Sequence, residues 1–101
     1  MMNSKVGPLY AIVRFDLKAG ELDTVVSLIR EFFEKEVSQV PGFISARLHS
    51  NEEGTVLINY ATWASADAFH SFVTNVARVS PISQKIQAFS PRTDRVHEVA
   101  L

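Results

Sequence analysis

The chain contains no cysteine in 101 residues. That excludes disulfide frameworks, thiolate nucleophiles and cysteine-held metals. It also lacks any apolar run approaching the roughly 20 residues that span a bilayer, so no membrane partner is expected. The start, Met1-Met2-Asn3-Ser4-Lys5, has no apolar signal-peptide region, and the cytoplasm is the expected compartment. Neither charge sign dominates: 10 Lys and Arg face 11 Asp and Glu, for a net charge of −1. The basic residues are scattered, which argues against a nucleic-acid partner. The three histidines, His49, His70 and His97, show no metal-ligand spacing. No P-loop, dinucleotide fingerprint or Ser-His-Asp arrangement is present, and no cofactor or metal is expected. With four glycines and four prolines there is no linker or low-complexity stretch. One domain over 1–101 is the expectation, with residues 1–7 a flexible start.

What is present is an ordinary 47% hydrophobic content, enough at this size to bury about two-thirds of the unfolded surface. Its periodicity changes along the chain. Leu9, Ala11, Val13, Phe15 and Leu17 alternate as one face of a strand, with Tyr10, Ile12, Arg14 and Asp16 on the other. Leu22, Val25, Val26, Ile29, Phe32, Phe33 and Val37 then recur at helical spacing over about 17 residues. Pro41-Gly42 breaks the pattern. Phe43 to Ser50 reads as a strand, with Ile44, Ala46 and Leu48 sharing a face. Asn51-Glu52-Glu53-Gly54 reads as a hairpin turn, and Thr55 to Thr62 as the next strand. Ser65 is a good N-cap for a helix whose apolar stripe is Phe69, Phe72, Val73 and Val76. Ser80-Pro81 ends it, and Ile82, Ile86 and Phe89 suggest one or two further helical turns. Arg92 to Leu101 reads as a last strand.

The order β-α-β-β-α-β specifies an α+β, ferredoxin-like fold with an antiparallel sheet. Right-handed crossovers place both helices on one side of the sheet. The other side keeps Tyr10, Ile12, Val56, Ile58 and Tyr60 uncovered. A bare apolar sheet face predicts an interface, most simply with a second copy across a two-fold axis. The expectation is a homodimer through the sheet face.

Candidate chemistry centres on the third strand. Leu57, Asn59, Ala61 and Trp63 share one face, so a carboxamide and the single tryptophan lie side by side on a surface that should be buried. A buried amide without a partner costs about 1–3 kcal/mol, so a helper from protein, water or ligand is implied. Asn59 is thus either a structural amide or a donor to a substrate oxygen. Trp63 is either core or a pocket wall whose N–H can reach a ligand. His70 is either a half-exposed surface group or, turned inward, a base. Phe32, Phe69 and Phe72 are first of all core, and with Leu57 they would line any cavity for a flat ligand.

Pro41-Gly42-Phe43, the hairpin, the strand ending in Trp63-Ala64-Ser65 and the helix opening with Asp67-Ala68-Phe69 together resemble the antibiotic biosynthesis monooxygenase family, over roughly Leu9 to Val99. The resemblance implies a dimeric α/β barrel. The Asn59–Trp63 pair resembles that of cofactor-independent oxygenases of aromatic polyketide biosynthesis. It implies oxidation of an electron-rich aromatic or quinol-like small molecule by dioxygen, with Asn59, Trp63 and His70 as catalytic candidates. Three departures stand out. The helical histidine that many members carry nine residues after the tryptophan is Phe72 here. A tyrosine six residues after it is Phe69. The haem-degrading branch would place an asparagine near Val13, which argues against haem. The alternative is a non-catalytic ligand-binding or stress-associated module that kept the barrel and lost the chemistry.

Overall fold

The computed structural model describes residues 7–101. Of the flexible start expected at 1–7, residues 1–6 lie outside the described residues, and Gly7 is exposed. The elements run β1 (Leu9–Asp16), α1 (Leu22–Lys35), β2 (Phe43–Ser50), β3 (Val56–Trp63), α2 (Ala66–Phe72), α3 (Pro81–Gln87) and β4 (Arg92–Val96). The sheet is antiparallel in the order β2-β3-β1-β4, and the mixed α+β, ferredoxin-like expectation holds. The helices cover one face and leave the other open.

Local chemistry sets the boundaries. α1 is shorter than its apolar periodicity suggests. Its helical geometry breaks at Glu36 (φ −126°), and Val37 is carried inward by a single 3-10 turn, Val37–Gln39. The β2–β3 hairpin is tied by Asn51. Its Oδ1 accepts from the backbone N–H of Thr55 (2.9 Å) and Val56 (3.0 Å), while Gly54 takes φ +75°. Ser65 caps α2 by accepting from Ala68 N–H (3.1 Å). α2 then widens into one π turn, Val73–Ala77, closed by Arg78 N–H to Val73 C=O at 3.1 Å. Ser80 does not merely end that segment. It starts α3 by accepting from Ser83 N–H (3.1 Å), while its hydroxyl donates to Glu36 Oε2 (2.9 Å) and ties α3 to the end of α1.

Two strand expectations are corrected. Ile44 does not share a face with Ala46 and Leu48: a bulge between Phe43 and Ser45 shifts the register, so Phe43 turns inward and Ile44 is left 56% exposed. One extra residue in a pleated strand reverses the face of everything before it. The last strand ends at Val96 rather than Leu101. Beyond it His97 Nδ1 donates to the Pro8 carbonyl (2.8 Å), and no ladder continues.

Gly42 fixes the approach of α2 to the sheet. It takes φ +89°, where side chains are strained, and a Cβ there would collide with that of Ala68. Its carbonyl accepts from Ala64 N–H at 2.7 Å. The Pro-Gly and Trp-x-Ser segments are thus parts of one corner.

Candidate functional site

The helix-facing side of the sheet is built in rows across the strands. Phe43, Trp63 and Leu9 form one row, with Phe43 and Leu9 both opposite Trp63. Ala46, Ala61 and Ala11 form the next, with Arg95 opposite Ala11 on β4. Leu48, Asn59, Val13 and Thr93 form the third. Three alanines side by side leave the middle of the sheet floor low. The helices above present phenylalanines that meet one another rather than fill that space. Between Ala11, Ala61 and the helices lies a cavity of about 440 Å³, while Ala46 faces a neighbouring one.

Its aromatic wall is a continuous stack. Trp63 lies 4.8 Å from Phe72 and 5.5 Å from Phe69, centroid to centroid, and Phe32 lies 6.0 Å from Phe72. Trp63 is 1% exposed, so only this interior void is open to its ring. Asn59 lines the same cavity and also borders a second, more open one of about 460 Å³ between α1 and β2, where Ile29 and Phe33 are shared. The Asn59 carboxamide makes no side-chain hydrogen bond to any described residue, and its Oδ1 is fully buried. Such an orphan oxygen carries a desolvation cost that a structural amide avoids by bonding its neighbours.

Of the residues singled out from sequence, the fold brings Asn59, Trp63, Phe32, Phe69 and Phe72 to one cavity. Leu57 is 1% exposed, packed in the core and outside the cavity wall. His70 is exposed and does not line the cavity. Phe69 and Phe72 take the inward face of α2, and His70 is turned about 100° from Phe69. No acidic residue, histidine, lysine or tyrosine lines the cavity among the described residues.

Sequence reading missed the polar rim. Arg78, Gln84 and Gln87 approach from the helix side, and Thr93 and Arg95 from β4. The Arg95 guanidinium lies over the Phe69 ring, 5.0 Å from its centroid. The available signal was the alternation of β4, which puts Thr93 and Arg95 opposite Val13 and Ala11 on the helix side.

The open face of the sheet is as expected from the alternation. Tyr10 and Tyr60 meet with their rings tilted and centroids 5.6 Å apart, and Tyr60 is 40% exposed. At its edge Arg14 pairs with Asp16 at 3.0 Å, and Arg92 approaches the same carboxylate at 3.5 Å. The Arg14 hydrogen bond holds the Asp16 carboxyl below its ordinary value. No helix among the described residues is long and apolar enough to cross a membrane, and no His/Asp/Glu cluster among them could hold a metal.

Solved structures share this architecture. A conserved protein from Methanosarcina mazei Go1 is similar with a TM-score of 0.74 at 12% identity, covering 94% of this chain and 96% of its own. An antibiotic biosynthesis monooxygenase is similar with a TM-score of 0.73 at 19% identity, covering 91% and 99%. A monooxygenase from the ActVA-Orf6 gene of Streptomyces coelicolor, solved with nanaomycin D, has a TM-score of 0.69 at 24% identity, covering 98% and 93%. No curated protein matches the chain. The sequence profile of the antibiotic biosynthesis monooxygenase family matches residues 8–88, and the chain belongs to that family.

Proposed function

We propose that this protein is a cofactor-independent monooxygenase that oxidises an electron-rich aromatic or quinol-like small molecule with dioxygen, inside the cavity between sheet and helices. The observation that carries the reading is the unpartnered Asn59 carboxamide beside the buried Trp63 in an aromatic-lined void of about 440 Å³. A void of that size and apolar lining suits a drug-sized planar ligand.

The chemistry asked of the protein is modest. An anthrone-type substrate loses its acidic methylene proton and becomes an electron-rich anion. One electron passes to dioxygen, and the resulting radicals combine at that carbon. The peroxide then loses water, so one oxygen atom ends in the new carbonyl and the other in water. The ring system itself supplies the electrons. Asn59 stabilises the anion by donating from Nδ2 to the substrate oxygen that carries the charge. One well-aimed donor is worth roughly 10²–10³ in rate. Trp63, Phe69 and Phe72 hold the ring plane. With no base lining the cavity among the described residues, the proton leaves to water as the substrate ionises.

The assay is aerobic oxidation of dithranol or menadiol by wild type and Asn59→Ala. The proposal expects a protein-dependent rate that falls at least tenfold in the variant, and equal rates would remove Asn59 from the mechanism. Phe69 and Phe72, which stand where relatives carry proton-active side chains, favour a second reading as a ligand-binding module without turnover. That reading expects the same ligands to quench Trp63 fluorescence with no oxidation above buffer.

The working unit in this proposal is a homodimer through the open sheet face. Tyr10, Ile12, Ile58 and Tyr60 form an apolar patch there that no element among the described residues covers.

A further inference from the structure

The rim of the cavity carries charge of one sign only. Arg78 and Arg95 both line it, and no aspartate or glutamate does among the described residues. Neither guanidinium forms an ion pair within the described chain: the ion pairs there are Arg14–Asp16, Arg92–Asp16 and Lys35–Glu31. The acid nearest Arg95 in sequence, Asp94, lies opposite Ile12 and therefore on the other side of the sheet.

Arg95 also has an aromatic neighbour. Its guanidinium carbon lies 5.0 Å from the centroid of the Phe69 ring, a residue 7% exposed and braced by Trp63 and Phe72. A cation–π contact uses none of the guanidinium's N–H donors as conventional hydrogen bonds and leaves them available to a ligand. A planar fork with these donors at the mouth of an apolar void is suited to bidentate capture of a carboxylate. Gln84, Gln87 and Thr93 add neutral polar groups around the same mouth.

The two ends of the cavity therefore differ. The deep end offers one carboxamide and aromatic walls, whereas the mouth offers two cations with no ion-pair partner among the described residues. We infer that the natural ligand is an aromatic carboxylate: a flat apolar body whose reacting carbon and oxygen lie toward Asn59, and whose ionised acid group projects to Arg95 and Arg78. This rests on the proposed reading of the cavity as a substrate pocket and adds the charge of the substrate to it. The rim sets specificity and orientation; it does not take part in the oxidation.

The test compares two probes of equal shape, anthraquinone-2-carboxylate and anthraquinone-2-carboxamide. The reporter is Trp63, the single tryptophan, whose fluorescence a ligand in the cavity quenches. Wild type is expected to bind the carboxylate about tenfold or more tightly than the carboxamide, the scale of one charge-assisted hydrogen bond. That ratio falls toward one in the Arg78→Gln/Arg95→Gln double variant. It also shrinks between 0.05 and 0.5 M salt, because both arginines are exposed. Circular dichroism checks the fold of the variant. Equal affinity of wild type for the two probes overturns the inference and leaves the cavity reading intact. A preference that persists in the double variant overturns it as well. If neither probe quenches Trp63 at any soluble concentration, the cavity is not a site for planar aromatics, and both readings fall together.

Discussion

Asn59→Leu separates an amide kept for chemistry from one kept for the fold. Leucine branches at the same carbon as asparagine and brings no polar atom. The native carboxamide has a fully buried Oδ1 with no partner, in a residue only 7% exposed. Leaving such a group unpaired costs about 1–3 kcal/mol, and replacing it with an apolar group of similar shape removes that cost. The extra bulk of leucine has somewhere to go, since the side chain borders voids of about 440 and 460 Å³. The variant should therefore be more stable than wild type by about 1–2 kcal/mol. For a domain of this size that is a rise in Tm of roughly 5–10 °C at matched protein concentration. The urea midpoint should move up with an unchanged slope. Dithranol oxidation by the same preparation should fall by roughly 10²–10³. A midpoint that drops by more than about 1 kcal/mol would refute the reasoning, because the amide would then be bonded and structural.

Further expectations test other parts of the account. Ala61→Leu fills the low floor of the cavity, so it should abolish quenching of Trp63 by anthraquinone probes while circular dichroism stays native; retained quenching would place the ligand elsewhere. Gly42→Ala forces a side chain to φ +89° and against Ala68, and should lower stability by about 2–4 kcal/mol in urea titration. Arg14→Gln should raise the Asp16 pKa back toward its ordinary value in an NMR titration. Because the folded pKa is depressed, the stabilisation from this pair is present above the unfolded Asp value and disappears as pH falls through the folded one. Ile58→Lys on the open face should convert a particle of twice the 11.3 kDa chain mass into one of the single mass by sedimentation; a wild-type monomer would remove the dimer.

The fold was legible because its signals are periodic. The stripe from Leu22 to Phe33 on α1, the alternation of β1 and β3, and the cap at Ser65 are each local and chemical, whereas Ser80 was read only as the end of a helix and not as the cap that starts α3. The bulge at Ile44 was not legible, since an extra residue in a strand leaves no mark in composition and is defined only by the partner strand. The cavity was hidden for a related reason. Ala11 and Ala61 are unremarkable singly, and they make a floor only when the register sets them side by side. Asn59 stood out because a carboxamide is costly to bury without a partner, and Trp63 because it is the single tryptophan on the same strand face. His70 drew notice for its chemistry, but Phe69 and Phe72 take the inward side of α2. Arg95 escaped notice because a charged residue on a short exposed strand looks like a solvated edge.

The most direct test of the central claim is oxidation of dithranol under oxygen-18 gas by purified protein, with mass analysis of the anthraquinone product. The account predicts a protein-dependent rate, one molecule of dioxygen consumed per product and one oxygen-18 atom in the new carbonyl. A rate no faster than buffer, or a carbonyl oxygen drawn from water, would contradict it.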